Sequence, residues 1–528
     1  MLHLISDKEI KLMDLVKEVE NMDESDFKKG TTFGVIGVCG ANGNLIARIL
    51  KERGFNVIGT DLSLKNECRF ASALEGYDID VFYGKTPDAF FNKCDYIIPP
   101  ASLPKDSEVY KRINKPILEL YDIIDIFKPE KEVFGITGTN GKTTSTTLLK
   151  KIAAENGIEP CQHNLEGMQG NAEFIPILQS RLNADVGILE VGTFGVPGTV
   201  ERIVKNTDMS GGLITNITPD HLNDLGSFMD YANVKGEFIK ELNHKKLIVN
   251  AHDPTIMGLL RKLNYEGELI TFGVDETPDS IGIKECVCGN ELTVKEIISG
   301  CGYYFCKCGI TTPQVDYIAT NVDLNNRTFD LHTPEGKITV KMAIDGLHNV
   351  YNVTGVIIAA HEFLKLPYDK ILETISTFTG VEGRMEKVDT INGKTVFVDY
   401  AHNPAGVQTV LKEFQKLFGD FTTVITVSSE SGYVGDLEIF NSVLKFSKFI
   451  VPASLASQKI AFEKLKENSR LNDRIFLNHM SEFEKEGTLG ANKKDVQDGI
   501  KKALNLDCEM IVAIGEAATK FKSVIHDL

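Results

Sequence analysis

The sequence predicts an α/β protein of about three domains, and three observations lead to this fold class. Strand-like apolar runs alternate along the chain with longer amphipathic stretches, which is the pattern of parallel α/β architecture. The length of 528 residues exceeds what one hydrophobic core usually supports and suits about three domains. Two glycine-rich segments, CGANGN and GTNGKTT, each follow an apolar strand and open a helix, so two domains are predicted to contain strand–turn–helix units.

Composition restricts the class of protein. Hydrophobic residues make up 42% of the chain and charged residues 25%, the mix of a globular rather than a disordered protein. The formal net charge of -17 argues against general binding to nucleic acid or to a membrane surface. A glycine-rich loop or Mg²⁺ can still hold phosphate inside an acidic protein. We therefore expect no nucleic-acid partner, but anionic substrates stay possible.

The N-terminal segment lacks the features of a targeting sequence. Residues 1–30 have neither the basic start nor the apolar centre of a signal peptide, and their Leu, Ile and Val positions suit an amphipathic helix. No apolar run in the chain reaches the ~18 residues that span a bilayer. We expect a helical extension at 1–30, no membrane insertion and a cytoplasmic protein.

Three α/β sets follow this extension. Residues 31–128 open with FGVIGV, CGANGN, LIARILKERG and NVIGTDLS, which predict a Rossmann-like strand, turn, helix and strand. Residues 129–379, which begin at a plausible proline linker, contain the second unit, VFGITGTNGKTTSTTLLKKIAAENG. Residues 380–528 contain the candidate strands KTVFVDYAHNP, TTVITVSS, KFIVPAS and EMIVAIGEAA. Gly380 and Gly383 make the segment 378–383 the predicted hinge between the last two sets.

The strongest single motif is a phosphate-binding loop. It comprises seven consecutive residues, Gly138, Thr139, Asn140, Gly141, Lys142, Thr143 and Thr144. The glycines let backbone N–H groups turn inward around a phosphate, and the following helix N-terminus favours negative charge. Lys142 would reach the β- and γ-phosphates of ATP, and the Thr143 hydroxyl would bind Mg²⁺. The alternative is a glycine-rich turn before an ordinary helix.

Six blocks in order resemble the Mur ligase family of ATP-dependent amide ligases. They are GITGTNGKTT at 135–144, LEVG at 189–192, NITPDHL with YANVK at 216–235, GLHNVYN at 346–352, GRME at 383–386 and DYAHNP at 399–404. Any one block is a weak signal, but the ordered set is specific, and the resemblance runs from about residue 31 to the C-terminus. It implies a Rossmann-like N-terminal domain, a central P-loop ATPase domain and a Rossmann-like C-terminal domain that binds an amino acid.

The resemblance also implies a reaction and its catalytic residues. ATP would phosphorylate a carboxylate to an acyl-phosphate, which an amine then attacks, with Lys142 stabilising the phosphate charge. Glu190 would join Thr143 on one Mg²⁺, and His221 would bind a second Mg²⁺. Lys235 would carry a carbamate, a metal-binding anion that forms only where the site lowers the lysine pKa. The alternatives are a Glu190 that only caps a strand end, a structural His221 and a solvated Lys235.

Four residues are predicted to complete the ATP site. By resemblance, Asn349 and Asn352 would meet adenine, whereas two Asn on one helix face could equally be polar surface. Arg384 and Asp399 would hold phosphate and ribose from the last domain. These two residues would then close over a nucleotide that the central domain binds.

The first glycine loop resembles the uridine-nucleotide-binding domain of Mur ligases that add early residues. Its pattern is G-x-x-G-x-x-G rather than G-x-G-x-x-G, so binding of NAD is a weak alternative. The segment IPPASLP at 98–104 resembles a serine-containing loop of that domain, with the serine displaced. The predicted substrate-binding residues are Gly37, Gly40, Gly43, Asp61, Ser102, His402 and Asn403.

Five of the ten cysteines lie within residues 286–308, a distribution unlike a disulfide framework. Cys286 and Cys288, followed by Cys306 and Cys308, read as two C-x-C-G knuckles of a zinc ribbon inserted at about 284–312. Such a site would be structural because four thiolates leave no open position on Zn²⁺. Cys301 could replace one of the four, and a set of small buried cysteines is the alternative.

Three functions are compatible with these motifs. The favoured one is a ligase, most like the archaeal Mur-like pseudomurein peptide ligases, that adds an amino acid to a UDP-linked peptide precursor and acts as a monomer. The chain lacks D-N-P-R, and MIVAIGEAA stands where G-K-G-H-E is expected, so the amino acid is open. The second is an amidotransferase-type ligase that takes ammonia from a glutaminase partner. The third is a non-catalytic P-loop regulator.

Overall fold

The computed structural model describes residues 22–162, 173–220, 226–478 and 490–528. The chain forms two compact units. Unit 1 comprises Met1–Gly135, Gly157–Val191 and Arg202–Ser210, and unit 2 comprises Ile136–Asn156, Gly192–Glu201 and Gly211–Leu528. The predicted helix at 1–30 lies mostly outside the described residues, which begin just before a short 3₁₀ turn at Glu24–Asp26.

Unit 1 contains a four-stranded parallel sheet in the order β3-β2-β1-β4. Its strands are β1 (Thr32–Ile36), β2 (Asn56–Asp61), β3 (Asp80–Tyr83) and β4 (Tyr96–Ile98). Its helices include α1 (Ala41–Glu52), α2 (Ala71–Gly76), α3 (Asp88–Lys93), α4 (Glu108–Lys111) and α5 (Leu120–Ile126). The strand, turn, helix and strand predicted from FGVIGV to NVIGTDLS are therefore confirmed as β1, α1 and β2.

A second sheet has eight strands in the order β15-β14-β13-β9-β8-β7-β5-β6. They are β5 (Val133–Thr137), β6 (Gly187–Glu190), β7 (Gly211–Ile214), β8 (Lys246–Asn250), β9 (Glu268–Val274), β13 (Tyr317–Asp323), β14 (Thr328–Thr333) and β15 (Gly336–Lys341). The strands from β7 to β13 in this order are parallel, whereas β14 and β15 join them antiparallel. Every residue of β5 is buried, as expected for a strand covered on both faces.

Helices alternate with these strands along the chain. They are α6 (Lys142–Glu155), α7 (Phe174–Gln179), α8 (Thr199–Thr207), α9 (Phe228–Glu241), α10 (Pro254–Lys262), α11 (Leu347–Glu362) and α12 (Tyr368–Ile375). Ser227 starts α9, because its side chain accepts a hydrogen bond from the backbone of Asp230. Helix α11 is buried over most of its length, which makes it a central element of unit 2.

A small antiparallel sheet is inserted between β9 and β13. It contains β10 (Ser280–Glu285), β11 (Glu291–Ile298) and β12 (Cys301–Cys306), paired in that order. The two predicted knuckles follow β10 and β12 directly. We refer to residues 280–312 as the cysteine-rich insertion.

The last part of unit 2 is a five-stranded sheet in the order β16-β17-β20-β18-β19, with only β16 antiparallel. Its strands are β16 (Glu386–Ile391), β17 (Lys394–Asp399), β18 (Phe421–Ile425), β19 (Phe449–Pro452) and β20 (Met510–Ile514). Its helices are α13 (Pro404–Phe418), α14 (Gly432–Phe446), α15 (Leu455–Glu467), α16 (Lys493–Leu504) and α17 (Glu516–Lys520). The four candidate strands from this region are confirmed.

Alternation along these strands produces two hydrophobic cores. Phe397 and Val512 pack with residues of α13, α14 and α15, whereas Val396 and Ile511 pack with residues of α16 and α17. Successive strand residues point to opposite faces, so this part of the chain is a helix–sheet–helix sandwich. Functional side chains collect at the carboxyl ends of the strands in such folds.

The predicted domain boundaries fall between elements. Position 128/129 lies between α5 and β5, and position 379/380 lies between α12 and β16.

The cysteines outside the insertion include one disulfide, Cys39–Cys68, which the sequence did not predict. In the described residues, no helix combines the length and apolar character needed to cross a bilayer.

Candidate functional site

The phosphate loop connects β5 to α6 in unit 2. Gly141 precedes α6 with φ of 85°, and Gly138 has φ of 145°, a backbone region that favours glycine. A Cβ atom at Gly138 would clash with Thr215, and one at Gly141 would clash with the side-chain oxygen of Asn352. The two glycines therefore allow the close backbone approaches that shape this loop.

A second loop, at residues 215–218, fixes the phosphate loop through side-chain hydrogen bonds. The backbone N–H of Asn140 donates to the Asn216 side chain at 3.0 Å, and the Asn216 amide donates back to the Asn140 carbonyl at 2.9 Å. The Thr139 hydroxyl donates to the Thr218 carbonyl at 3.1 Å and accepts from the Thr218 N–H at 3.0 Å. The loop is thus preorganised by protein groups alone, as a rigid anion cradle requires.

The cationic side chain of this loop lies at the start of α6. Lys142 Nζ donates to the carbonyl of Thr139 at 2.9 Å. Thr143 and Thr144 follow in the first turn of the helix and line the adjoining cleft. The alternative of an ordinary glycine-rich turn accounts for neither the two-sided anchoring of the loop nor the cleft beside it.

The cleft beside the phosphate loop encloses about 1340 Å³ of empty space, partly open to solvent. Phe397, Val410 and Phe418 contribute an apolar wall. The predicted ATP residues Asn349, Asn352, Arg384 and Asp399 all line it. Such a space, apolar with a few polar groups, is typical of a small-molecule site.

Arg384 and Asp399 lie together on one side of this cleft. The Arg384 guanidinium is 4.7 Å from the centroid of the Tyr400 ring. The Asp399 carboxylate accepts backbone N–H bonds from Met385 and Ala401, each at 2.7 Å. Burial raises the pKa of Asp399, and the charge of Arg384 opposes that rise.

The two asparagines lie on α11, and one of them faces the phosphate loop. Asn352 is only 7% exposed, and its amide donates to the Asn349 side chain at 3.1 Å. The Asn349 amide donates to the Asp345 carbonyl at 2.6 Å. The polar-surface alternative is therefore wrong for Asn352, whose side chain meets Gly141.

The predicted metal residues do not all fall in one described unit. Lys235 lies on α9 with 1% exposure, and its Nζ donates to the Thr137 hydroxyl at 3.4 Å. The solvated-lysine alternative is therefore wrong. Glu190 ends β6 in unit 1, where its side chain is partly exposed, and His221 lies outside the described residues.

A pair of asparagines links the phosphate loop to the C-terminal part of unit 2. The Asn140 amide donates to Asn403 Oδ1 at 3.3 Å, and the Asn403 amide donates back to Asn140 Oδ1 at 3.1 Å. Asn403 also donates to Asp220 at 3.2 Å and caps α13 by accepting from the Gly406 N–H. The predicted substrate role of Asn403 stays a prediction, because its side chain is already engaged with protein groups.

His402 belongs to a half-buried polar cluster that the sequence did not predict. Its Nε2 lies 3.7 Å from a Glu430 carboxylate oxygen and 3.8 Å from one of Asp220. One ligand atom each of His402, Glu430 and Glu516 lie within 4.8 Å of one another. Both carboxylate oxygens of Glu516 are buried, and hydrogen bonding from Ser428 opposes the rise in the pKa of this carboxyl.

The protonation of this cluster follows from its contacts. His402 Nδ1 lies 3.0 Å from the Tyr400 carbonyl, so Nδ1 carries the proton and Nε2 presents a lone pair to the carboxylates. Burial lowers the pKa of His402, which keeps the ring neutral. Burial, with the charge of Glu430, raises the pKa of Glu516 to about 8. Two carboxylates and the lone pair of a neutral imidazole offer several acceptors, which favours a cation that donates hydrogen bonds.

One sequence signal could have identified these carboxylates. Glu430 follows the segment that contains β18, and Glu516 comes two residues after β20. In parallel α/β sheets, ligands bind at the carboxyl ends of the strands. A search of those positions for polar residues would have selected both.

In unit 1, the first glycine loop borders a separate pocket of about 1000 Å³ of empty space, half open to solvent. Gly37, Gly40, Gly43 and Ser102 all line it. Asp61 lies behind the loop and accepts the backbone N–H of Cys39 at 2.9 Å. The predicted substrate residues of this unit are thus grouped, with Asp61 holding the loop.

The four predicted zinc ligands lie together. The sulfur of Cys286 is 3.8 Å from that of Cys308, and the sulfur of Cys288 is 3.7 Å from that of Cys306. Zn–S bonds of about 2.3 Å in a tetrahedron place sulfurs about 3.8 Å apart, so this cluster fits Zn²⁺. Cys301 lies elsewhere, with its sulfur 3.8 Å from the Asp253 carboxylate.

The two knuckles share one backbone geometry. The N–H of Gly289 donates to the Cys286 carbonyl at 2.8 Å, and that of Gly309 donates to the Cys306 carbonyl at 2.9 Å. In both turns the glycine has a positive φ, 83° and 89° respectively. The C-x-C-G spacing therefore forms two equivalent turns that point their thiols at one centre.

Comparisons with known proteins agree with this architecture. A model described as Mur ligase middle domain matches residues 136–360, and one described as Mur ligase, glutamate ligase domain, matches residues 383–471. A solved structure of a pseudomurein peptide ligase type C from Methanothermus fervidus is 34% identical, with a TM-score of 0.81. That similarity covers 94% of this chain and 100% of the other.

More distant relatives share the same fold. A UDP-N-acetylmuramate–L-alanine ligase of Dictyoglomus turgidum is 23% identical over 515 residues, which cover 93% of this chain and 90% of that protein. The structure of a UDP-N-acetylmuramate–alanine ligase from Thermotoga maritima has a TM-score of 0.57 at 16% identity. It covers 94% of this chain and 98% of the other chain, and it supports the fold alone.

Proposed function

Because the chain belongs to the Mur ligase family of ATP-dependent amide ligases, we propose that it adds an amino acid to a UDP-linked pseudomurein peptide precursor. The likeness to the Methanothermus fervidus ligase supports this substrate class. The observation that carries the proposal is the Asn140–Asn403 link, which brings the phosphate loop beside the half-buried His402 cluster. Activation of a carboxylate and delivery of an amine could then occur at one place. The monomeric state and the cytoplasmic location belong to the same proposal.

The phosphate loop would hold ATP during activation. The precursor carboxylate attacks the γ-phosphate, the bond from that phosphorus to the bridging oxygen breaks, and ADP leaves with the bonding electrons. Lys142 would stabilise the transferring phosphate, and Asn349, Asn352, Arg384 and Asp399 would surround the nucleoside. Members of the family use Mg²⁺, which would neutralise phosphate charge at Thr143, and the metal roles of Glu190 and His221 stay predictions from the sequence.

Lys235 is proposed to act as a carbamate. Its burial supports this role because a buried amine favours its neutral form, and only a neutral amine adds CO₂. The carbamate would supply an anion beside the end of β5, where Thr137 already contacts the lysine nitrogen. Its function would be to help hold the metal.

The His402 cluster is proposed to receive the ammonium group of the incoming amino acid. An ammonium can donate one hydrogen bond each to His402 Nε2, Glu430 and Glu516. A carboxylate then takes one proton from nitrogen. The neutral amine attacks the acyl carbon, the carbon–oxygen bond to phosphate breaks, and phosphate leaves with the bonding electrons and takes the second proton from nitrogen.

We expect Glu516→Gln to raise the KM for the amino acid about 10- to 100-fold with little change in the KM for ATP, because a charged hydrogen bond to ammonium is lost. In the wild type, kcat/KM for the amino acid should rise as pH increases through about 8, since Glu516 accepts a proton only when ionised. The variant should lose that inflection.

Glu463→Gln, at an exposed glutamate of α15, is the matched control and should behave as wild type. Steady-state kinetics from pH 6 to 10 would test both. An unchanged amino-acid KM in Glu516→Gln, with the inflection retained, would exclude this carboxylate from amine binding.

The four clustered cysteines are proposed to hold structural zinc. Protein purified without chelator should contain about one Zn²⁺ per chain, measured by plasma mass spectrometry. Cys288→Ser should lower that content, whereas Cys301→Ser should not, because Cys301 lies outside the cluster. Metal-free wild-type protein would contradict the assignment.

An amino-acid screen for ADP release, with candidate UDP-linked peptides as acyl donors, tests the reaction. Release that requires both the peptide and one amino acid is the expected result. Release with ammonia, or with glutamine plus a partner protein, would indicate the amidotransferase alternative instead. ATP binding without any acid-dependent turnover would indicate a regulator.

A further inference from the structure

We infer that the cysteine-rich insertion forms part of the nucleotide-binding site. Its β11–β12 turn, residues 298–301, forms a wall of the cleft. The turn contacts both the loop at residues 215–218 and helix α13. The insertion would therefore control nucleotide affinity rather than only stabilise the fold. This inference rests on the proposed use of the cleft for ATP.

The turn is built into the support of the phosphate loop. The Cys301 sulfur lies 3.8 Å from the buried Asp253 carboxylate, and the same carboxylate accepts the Ile217 N–H. A Cβ atom on Gly300 would lie 3.4 Å from a Thr218 methyl group, so the turn packs directly on residues 215–218. Residues 215–218 in turn hold Asn140 of the phosphate loop. A displacement of the turn would therefore also displace the phosphate loop.

The insertion also contacts the C-terminal part of unit 2. The Ser299 hydroxyl donates to the side-chain oxygen of Gln408 on α13 at 3.2 Å. Lys412, one turn further along α13, forms an ion pair with Asp279 just before β10. Helix α13 begins directly after Asn403. The insertion and the Asn140–Asn403 link therefore both hold α13 beside the phosphate loop.

The inner side of the turn faces the cleft. Ile298, Ser299 and Cys301 line it together with Thr409 and Val410 of α13. A nucleotide in the cleft would therefore contact the insertion on one side and α13 on another.

Metal binding would make the turn rigid. The buried core of the insertion is small, consisting mainly of Leu292, Val294 and Tyr304 with two of the cysteines. With so small a core, a metal cross-link between the strands would add to the stability of the sheet. The four thiols join the ends of β10 and β12, so occupancy by Zn²⁺ would fix the strands that carry the turn.

The ion pair gives a test that leaves the metal ligands intact. Lys412→Asp and Asp279→Lys each place like charges together, and either should raise the Kd for an ATP analogue about 5- to 10-fold by calorimetry. The double variant Asp279→Lys/Lys412→Asp restores opposite charges and should return the Kd to within about 2-fold of wild type. Lys459→Asp is the control, because Lys459 is an exposed residue of α15 with no ion pair in the described part of the chain, and this change should leave the Kd unchanged.

Zinc removal gives a second, independent measurement. Stripping the metal should raise the Kd for the analogue at least about 10-fold while most of the far-ultraviolet circular dichroism persists, and adding Zn²⁺ should reverse the change. Equal Kd values for all four charge variants, together with an unchanged Kd after stripping, would overturn the inference. A wild-type protein that binds the analogue tightly yet releases no ADP would instead count against the proposed reaction.

Discussion

Replacing Lys142 with alanine should lower ADP release by on the order of 10³-fold, because a cation is lost where negative charge develops on the transferring phosphate. The side chain starts α6, and its hydrogen bond to the Thr139 carbonyl is local. The free energy of unfolding should therefore change by less than about 1 kcal/mol. Coupled measurement of ADP release and thermal unfolding would separate the two effects.

Lys151→Ala is the matched control for this variant. Lys151 lies on the same helix and pairs with Glu155 at 2.6 Å, away from the phosphate loop. An exposed helix pair of this kind contributes about 0.5 kcal/mol or less, so turnover should stay near that of wild type. Near-normal ADP release in Lys142→Ala, with both substrates present, would remove the loop from catalysis.

Replacing Lys235 with alanine should lower turnover by on the order of 10²–10³-fold, the effect of losing several kcal/mol of metal-assisted stabilisation. A short-chain carboxylate added to the variant should partly restore activity, since it can occupy the space and supply the charge of the carbamate. A purely structural loss would not respond to the added anion. Measuring turnover against formate and acetate concentration distinguishes these cases.

Two observations make the Lys235 test specific. Lys240→Ala alters the same helix at an exposed position that pairs with Glu201 and Glu241, and it should leave turnover unchanged. Carbon-13 spectra of wild-type protein under labelled CO₂ should contain one carbamate signal that disappears in Lys235→Ala. Full activity of that variant, or an unmodified amine under saturating CO₂, would contradict carbamylation.

In the cysteine-rich insertion, local sequence patterns predicted the two knuckles but not the position of Cys301. The C-x-C-G spacing predicted two knuckles because each turn is formed by consecutive residues, and the sulfur distances of 3.7 and 3.8 Å agree with that prediction. The spacing could not decide whether Cys301 joins the cluster. That depended on the pairing of β11 with β12, which turns Cys301 toward Asp253 instead.

The burial of Lys235 was also decided by the tertiary structure alone. The sequence left Lys235 as either a buried reactive amine or a solvated residue of a helix, because Lys240 and Lys245 nearby show that lysines are common in this segment. Packing of α9 left Lys235 with 1% exposure and Lys240 in solvent. The pairing of Cys39 with Cys68 across 29 residues also required the fold of unit 1.

By itself, the sequence determined the α/β class, the phosphate loop and the cysteine knuckles, since backbone conformation and side-chain periodicity over a few residues are enough to specify them. The tertiary structure alone decided that Asn140 meets Asn403, 263 positions away, and that His402, Glu430 and Glu516 form one acceptor cluster. Those contacts depend on strand order, which brings the carboxyl ends of β17, β18 and β20 to one edge of the sheet. Local patterns do not encode that order, because any of several arrangements would bury the same apolar strands.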